Sequence, residues 1–492
     1  MKLESLVQEI PKISVARIMD IEIKGVKYDS RQVKEGDLFV AIKGFKTDGH
    51  HYINNALAQG ASAVVVENEN CCSSDYPWVL VDNSRNALAD LSAAFYDQPS
   101  RRFLLIGVTG TNGKTTTSNL IAKIFEDQGH KVGLVGTIHN RIGEKIIPVE
   151  RTTPESSDLQ ELFSQMVSEN VTCVVMEVSS HALDLARVRG CEFDIAVFTN
   201  LTQDHLDYHQ SMEEYYQAKL KLFKDLDKAT YKIFPKVAVI NGDDPWGQKL
   251  LGDINVEKIC YGIDYKADLK AEALNITSTG VSYRIDEEVM KLQLTGKFNV
   301  YNSLAALAAA QIQGISREGA IRSLEGVTGI AGRFQLVEGI DDFAVIVDYA
   351  HTPDSLVNIL MTAREFAKGR IITVFGCGGD RDRTKRPIMG KAAAEFSDFS
   401  IVTSDNPRTE DLQAIINDIL PGIEEIVGPD KYHVVIDRRK AIKEALEMAQ
   451  KDDIVIIAGK GHETYQEVNG EKYPFDDKVI AEEILKRGRV NS

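Results

Sequence analysis

The chain has 492 residues, 43% of them hydrophobic and 26% charged, an ordinary globular composition on a length that exceeds one hydrophobic core, so three domains are expected. A formal net charge of −16 at pH 7 argues against nucleic acid or an anionic membrane surface as the main partner. The six cysteines form no C-x-x-C pair, no apolar signal core follows Met1, and no run has membrane-spanning length, which predicts a cytoplasmic protein without membrane insertion.

From Met1 to about Ser100 short strands and helices alternate, with strands expected at Val26–Arg31, Asp37–Ile42, Ala61–Val66 and Trp78–Asp82. Pro99-Ser100-Arg101-Arg102 closes this first domain, residues 1–100. The apolar, β-branched run from Leu104 then ends in Thr109-Gly110-Thr111-Asn112-Gly113-Lys114-Thr115-Thr116, followed at helical spacing by Leu120, Ile121, Ile124 and Phe125. This reads as strand, tight loop, helix. Glycines let backbone N–H groups close around phosphate oxygens, a helix N-terminus adds positive potential, Lys114 can reach distal phosphates, and the Thr115 hydroxyl can ligate Mg²⁺. The spacing departs from G-x-x-x-x-G-K-[ST], because Val108 stands where the first glycine belongs.

Strands expected at Val132–Val135, Cys173–Val178, Ile195–Thr199 and Val237–Ile240, with helical patterns between them, describe a mostly parallel sheet covered by helices. Polar runs follow several strands: Glu177-Val178-Ser179-Ser180-His181, Asn200 to His205, and Asn241-Gly242-Asp243-Asp244. In open α/β sheets ligands gather beyond the carboxyl ends of strands. Glu177, closing a buried strand, suits a hard cation. Asp204-His205-Leu206-Asp207-Tyr208-His209 reads equally as a polar turn or a metal site, because histidine is a poor Mg²⁺ ligand. Met212–Phe223 reads as a helix whose Lys219 and Lys221, by composition alone, belong to a solvated face. A β-rich excursion over Leu250–Leu294 and a small-residue helix after Asn302 complete a central domain, residues 101–332. Gly326, Gly329 and Gly332 put a hinge near Arg333.

Residues 333–492 restart the alternation, with strands expected at Ala344–Asp348, Ile371–Phe375, Ser400–Thr403, Val434–Ile436 and Ile454–Ala458. Polar tips follow again, at Asp348-Tyr349-Ala350-His351, Gly376 to Arg381, Asp405-Asn406-Pro407-Arg408 and Gly459-Lys460-Gly461-His462-Glu463. Pro407 fixes a turn and Arg408 offers a planar fork matched to a carboxylate. Arg381, Arg383, Lys385 and Arg386 read as an anion clamp or a basic helix start; cations at a helix N-terminus oppose its dipole. The fold class is α/β in three domains: a mixed α/β N-terminal domain, a central P-loop ATPase domain with a mostly parallel sheet, and a C-terminal Rossmann-like domain.

Seven of these segments, Gly110 to Thr116, Glu177 to His181, Asn200 to His209, Asn299-x-x-Asn302, Gly332-Arg333, Asp348 to His351 and Asp405 to Arg408, stand in an order and spacing that resembles the Mur ligase family over residues 25 to 465. The resemblance implies an ATP-dependent amide-bond ligase in peptidoglycan precursor synthesis, with an acyl-phosphate intermediate, and it makes Val108 unremarkable, because the family uses the shorter loop. It implies that Gly110, Thr111, Asn112, Gly113, Lys114, Thr115, Thr116, Asn302, Arg333 and Asp348 contact ATP. Lys114, Glu177, His205 and Lys219 are implied to be catalytic, and Thr115, Glu177, His205 and a carbamylated Lys219 to serve Mg²⁺. Ser30, Thr152, Thr153, Ser179 and Arg187 match contacts to UDP-N-acetylmuramoyl-L-alanyl-D-glutamate.

Arg381, Asp405, Asn406, Pro407, Arg408, Gly459 and Glu463 match a pocket for meso-diaminopimelate, which differs from lysine by one carboxylate. A monomer is expected. L-lysine as the amino acid, or another ligase of the superfamily such as a folylpolyglutamate synthetase, remain the alternatives. A phosphate-loop switch or motor ATPase is the rival from another class.

Overall fold

The computed structural model describes the chain except residues 9, 11–12, 17–19, 45–46, 150, 206–207, 229–230, 278, 338–341 and 491–492, and describes only the backbone of 13–16 and 487–490. Its residues cluster into two compact units. The first comprises Met1–Leu201, His205–Tyr261 and Ala305–Ser316; the second comprises Thr202–Asp204, Gly262–Leu304 and Arg317–Ser492.

In the first unit, strands β1 (Ile13–Ala16), β2 (Gly25–Lys27), β3 (Asp37–Val40), β4 (Ala63–Val66) and β5 (Trp78–Val81) form a sheet in the order β1-β5-β4-β3-β2. All its pairs are parallel except β1 with β5. The strand expected over Val26–Arg31 stops at Lys27. The Asp29 carboxylate accepts the Arg31 N–H and caps a 3₁₀ turn, Ser30–Gln32, giving the backbone a local alternative to the ladder.

The second sheet of this unit carries β6 (Leu104–Thr109), β7 (Val132–Val135), β8 (Asn140–Ile142), β9 (Lys145–Ile147), β10 (Cys173–Glu177), β11 (Ile195–Phe198), β12 (Val237–Asn241) and β13 (Glu257–Gly262). Their order is β13-β12-β11-β6-β10-β7-β8-β9, parallel from β13 to β7, with β8 and β9 antiparallel. β6 is buried along its whole length, as a strand covered on both faces should be. It lies between β10 and β11 with Val108 opposite both Glu177 and Val197, so the polar runs that follow three strands emerge side by side.

Asp194, fully buried at the entrance to β11, locks this register. It accepts the Leu105 N–H at 2.8 Å and the Lys236 ammonium at 2.9 Å, and it pairs with the buried Lys232. Lys232 also donates to the Ser100 and Glu192 carbonyls.

In the second unit β14 (Leu269–Lys270) precedes a three-stranded antiparallel sheet of β15 (Glu272–Thr277), β16 (Gly280–Ile285) and β17 (Glu288–Leu292). The β-rich excursion thus begins later than Leu250, which lies in the helix Pro245–Asp253 capped by Asp244. The C-terminal sheet runs β18 (Gln335–Leu336), β19 (Ala344–Asp348), β23 (Ile454–Ala458), β20 (Ile371–Phe375), β21 (Phe399–Val402) and β22 (Tyr432–Val434), parallel except β18 with β19. β22 sits earlier than the strand expected at Val434–Ile436. A hairpin of β24 (Tyr465–Val468) and β25 (Glu471–Pro474) follows.

Replacing Asp194 with alanine leaves the Lys232 ammonium buried without its carboxylate. The expected loss is about 3–5 kcal/mol, read as a lower urea midpoint for the first unit with its slope unchanged.

Candidate active site

The loop after β6 depends on Gly110, whose φ is +149° and whose position has no room for a side chain: a Cβ there would stand 1.9 Å from Thr199 Oγ1. Asn200, just past β11, then clamps the loop. Its carbonyl accepts the Thr111 N–H at 2.8 Å, its side-chain oxygen accepts the Asn112 N–H at 2.9 Å, and its amide donates to the Asn112 carbonyl at 3.1 Å. Gly113, at φ +84°, starts the helix Lys114–Asp127, whose N-terminal dipole is an anion-binding feature. Lys114 folds back to donate to the Gly110 and Thr111 carbonyls at 3.0 and 2.7 Å.

Thr115 Oγ1 donates to Glu177 Oε2 at 2.9 Å. Glu177 is 1% exposed and also accepts the Thr137 N–H and hydroxyl at 2.9 and 3.0 Å. A buried carboxylate beside a threonine hydroxyl is a hard, all-oxygen donor set, which fits Mg²⁺ shared with a phosphate and water. Among the described residues no three His, Cys, Asp or Glu side chains converge as a metal cage.

Lys219 is 2% exposed, so the solvated face expected for this helix, Met212–Asp225, is wrong at this residue. Its ammonium donates to the Gly110 carbonyl at 2.8 Å, the acceptor that Lys114 also uses, and lies over the Tyr215 ring at 4.6 Å. Tyr215 is the hub that sequence reading missed. Its hydroxyl meets Thr111 Oγ1 at 3.2 Å, His209 stacks on it at 5.1 Å, and His205 meets it edge-on at 6.0 Å. The signal was the i, i+4 spacing of Tyr215 and Lys219 on one helix face. His205 has a positive φ, 54°, and packs edge-on against His181. Burial, then His181, lower the His209 pKa. Asp207 of this motif lies outside the described residues.

A second cluster surrounds Glu155. Its carboxylate holds Arg187 Nε at 2.8 Å, Arg151 Nη1 at 3.0 Å and Arg85 Nη1 at 3.5 Å. Arg187 also donates to the Thr153 carbonyl at 3.1 Å. Thr153 Oγ1 donates to the Glu177 carbonyl and accepts the Ser179 N–H, and Thr152 shares a hydrogen bond with Thr137. Burial, then the neighbouring charges of Arg151 and Arg85, work to lower the Arg187 pKa against the pull of Glu155. Arg85 and Arg151 were not singled out from sequence. Ser30 is buried in the 3₁₀ turn that follows β2.

In the second unit Asp405, Asn406 and Pro407 are buried beyond β21. Asp405 Oδ1 accepts the Asn406 N–H at 2.6 Å, while its buried Oδ2 has no hydrogen-bond partner among the described residues. Gly459 faces that oxygen at φ +117°, and a Cβ there would stand 2.6 Å from it. Arg408 adopts φ 52° and donates to the Gly379 carbonyl at 2.6 Å. Arg381 is exposed and makes no hydrogen bond or ion pair among the described residues.

Its neighbours Arg383 and Arg386 resolve the basic run structurally. Arg383 pairs with Asp418 at 2.9 Å, and the fully buried Arg386 pairs with Glu410 and Asp418, both at 2.8 Å. Arg386 in turn holds the Glu410 carboxyl down at about 2. Beneath the tips, buried Arg438 pairs with Asp477 at 2.7 Å and donates to the Ser404 and Ala458 carbonyls, which ties the ends of β21 and β23 together. Elsewhere in this unit Asp348 accepts the Phe334 and Ala350 N–H groups, and burial pushes its pKa up against the pull of Arg333. Arg333 lies over the Tyr349 ring at 4.9 Å. Asn302 donates to Asn299 at 3.0 Å.

A phosphate loop on a parallel sheet, joined in one chain to a Rossmann-like domain with an ionic cluster at its strand ends, is the architecture of a multidomain P-loop nucleotide-binding protein. Three family models match in succession: "Mur ligase family, catalytic domain" over residues 22–96, "Mur ligase middle domain" over 108–310 and "Mur ligase, glutamate ligase domain" over 332–461. The chain belongs to the Mur ligase family.

Relatives named UDP-N-acetylmuramoyl-L-alanyl-D-glutamate–2,6-diaminopimelate ligase include one from Bacillus cereus, 47% identical with all of both chains covered, and one from Clostridium botulinum, 49% identical over 94% of this chain and 95% of its own. A solved structure of that name is 34% identical with a TM-score of 0.71, covering 99% of this chain and 100% of its own. The Mycobacterium tuberculosis folylpolyglutamate synthase, at 18% identity and TM-score 0.58 over 76% of this chain and 92% of its own, shares the fold.

Alanine at Gly110 meets Thr199 Oγ1 and distorts the loop. ATP affinity is expected to fall at least about tenfold, about 1.4 kcal/mol, in a titration with a fluorescent ATP analogue.

Proposed function

We propose that this protein joins meso-2,6-diaminopimelate to UDP-N-acetylmuramoyl-L-alanyl-D-glutamate at the expense of ATP, in the cytoplasm and as a monomer. The observation that carries this reading is the 47% identity to the Bacillus cereus ligase over the full length of both chains. Its division of labour follows the boundaries 1–100, 101–332 and 333–492.

The substrate's γ-carboxylate attacks the γ-phosphorus of ATP and ADP leaves, forming an acyl phosphate. The amino acid's amine then adds to the acyl carbon and loses a proton, and inorganic phosphate departs with the C–O bonding pair. Neither step needs a covalent bond to the protein, so catalysis is positioning and charge neutralisation. Lys114 turns from the Gly110 and Thr111 carbonyls to the transferred phosphate, and the loop residues Gly110 to Thr116 donate backbone N–H groups to the others. Asn302, Arg333 and Asp348 serve the nucleotide.

Thr115, Glu177 and His205 would hold Mg²⁺, which when bound neutralises phosphate charge. Carbamylation of Lys219 fits its surroundings for an electrostatic reason: Lys219 and Lys114 both bring an ammonium to one carbonyl, and a carbamate removes one of the two positive charges while adding a metal-binding oxygen pair. Thr152, Thr153, Ser179 and Arg187, with Ser30, hold the UDP-sugar peptide.

Choice of amino acid rests on the ionic pocket. The distal end of diaminopimelate is an ammonium and a carboxylate together. The carboxylates of Asp405 and Glu463 match the ammonium, and Arg408 and Arg381 match the carboxylate, with Asn406, Pro407 and Gly459 shaping the wall. L-lysine brings no distal carboxylate to these arginines, and a site built for a missing polar group rejects such an analogue by about 10⁴-fold or more.

Three measurements test the reading. Phosphate release from ATP and the dipeptide precursor is expected to be fast with meso-diaminopimelate and at least about 10³-fold slower in kcat/KM with L-lysine; faster release with L-lysine refutes the assignment. The Lys219→Ala variant is expected to lose at least about 10²-fold in kcat. A ¹³C-carbamate NMR signal, seen in the wild type under ¹³CO₂, is expected to vanish in that variant.

A further inference from the structure

Lys460 is a fully buried lysine, 0% exposed, between Gly459 and Glu463, two of the residues proposed above to receive the amino acid. Gly459 and Gly461 flank it with φ of +117° and +53°, backbone that side-chain-bearing residues rarely adopt. Those two turns fold the lysine inward. The Glu463 N–H closes the turn on the Lys460 carbonyl at 2.9 Å, and the ammonium lies 5.7 Å from the Tyr465 ring.

The ammonium donates to Asn406 Oδ1 and to Glu463 Oε2, both at 3.0 Å. Asn406 Oδ1 also accepts the Glu467 N–H at 2.9 Å, and its amide nitrogen donates to Glu463 Oε2 at 2.7 Å. Two obligate donors therefore fix which end of the Asn406 amide is oxygen. With Oε2 taken by both Lys460 and Asn406, Glu463 keeps Oε1, which makes no hydrogen bond among the described residues. Asn406 keeps one N–H.

We propose that Lys460 is a positioning residue for amino-acid selection: it orients Asn406 and Glu463 so that a carboxylate oxygen and an amide N–H face a zwitterionic distal end. The inference rests on the ligase reading above and adds to it a residue that touches two pocket side chains rather than the reacting atoms. Its charge matters as well as its geometry. Without the ammonium the pocket keeps the carboxylates of Asp405 and Glu463 and loses a neighbouring cation, which favours a singly cationic end, as in L-lysine, over a zwitterionic one.

The test uses the full-length enzyme and the variants Lys460→Met and Lys460→Gln, with two readouts on each. Acyl-phosphate formation is trapped as hydroxamate with hydroxylamine in the absence of amino acid, and amide formation is followed against meso-diaminopimelate and L-lysine. Both variants are expected to keep hydroxamate formation within about twofold. Loss of a charge-assisted pair predicts a KM for meso-diaminopimelate raised about 10- to 100-fold. The preference for meso-diaminopimelate over L-lysine falls with it. Hydroxamate formation that falls in parallel with ligation in both variants makes Lys460 a structural residue and overturns the proposal. An unchanged KM and preference overturn it too. A wild-type enzyme that yields no hydroxamate overturns instead the acyl-phosphate reading on which the proposal stands.

Discussion

The Gly110 carbonyl is the point on which the first unit's chemistry depends. It accepts from Lys114 and from Lys219, residues on two different helices, while a Cβ on the same residue would collide with Thr199 just past β11. Only a glycine at φ +149° can bring its backbone that close to a neighbouring strand end. The parallel register sets up the approach: with β6 between β10 and β11, the chain leaving β6 is flanked by Glu177 on one side and Thr199-Asn200 on the other. Loop, carboxylate and clamp are therefore consequences of strand order, and both lysines converge on the carbonyl that this order places between them.

The extent to which this was legible in the sequence follows from how local each signal is. Leu104 to Thr116 declares itself because strand, glycine turn and helix start are encoded within a dozen neighbouring residues. The alternation of strands and helices was legible for the same reason, and errors fell where side chains compete with the ladder, as at Asp29. Lys219 was not legible from composition, because only packing shows that a lysine on an amphipathic helix is enclosed. Tyr215 reads as core at helical spacing, and it is core; that its hydroxyl meets Thr111 is a tertiary fact. Arg386 stayed open between an anion clamp and a basic helix start, because the partners that decide for a structural role, Glu410 and Asp418, stand 24 and 32 positions away, beyond any local pattern.

The second unit reaches a comparable precision by different means. It has no glycine-rich phosphate loop, and its pocket is held by buried ions instead. Arg438 takes its charge partner from Asp477 and spends its remaining donors on the carbonyls that end two strands. Such a pair is a weak source of net stability, because desolvation cancels much of its attraction, yet removing one partner is costly. Its consequence is geometric: Asp405 and Gly459 follow directly from the two carbonyls it holds, so the distance between the pocket's walls is set below the pocket.

An acidic protein that is to bind anionic ligands, as proposed above, must concentrate cations where they sit. With a net charge of −16, long-range attraction cannot do this, and at physiological salt exposed charges are screened beyond about 8 Å. The half-buried cluster around Glu155 works at shorter range. One carboxylate faces three guanidiniums, so the group carries a net positive charge that burial protects from screening. Glu155 lessens the mutual repulsion of the arginines without neutralising them. Three guanidiniums against one carboxylate leave an excess of positive charge close to Thr153, whose carbonyl Arg187 holds.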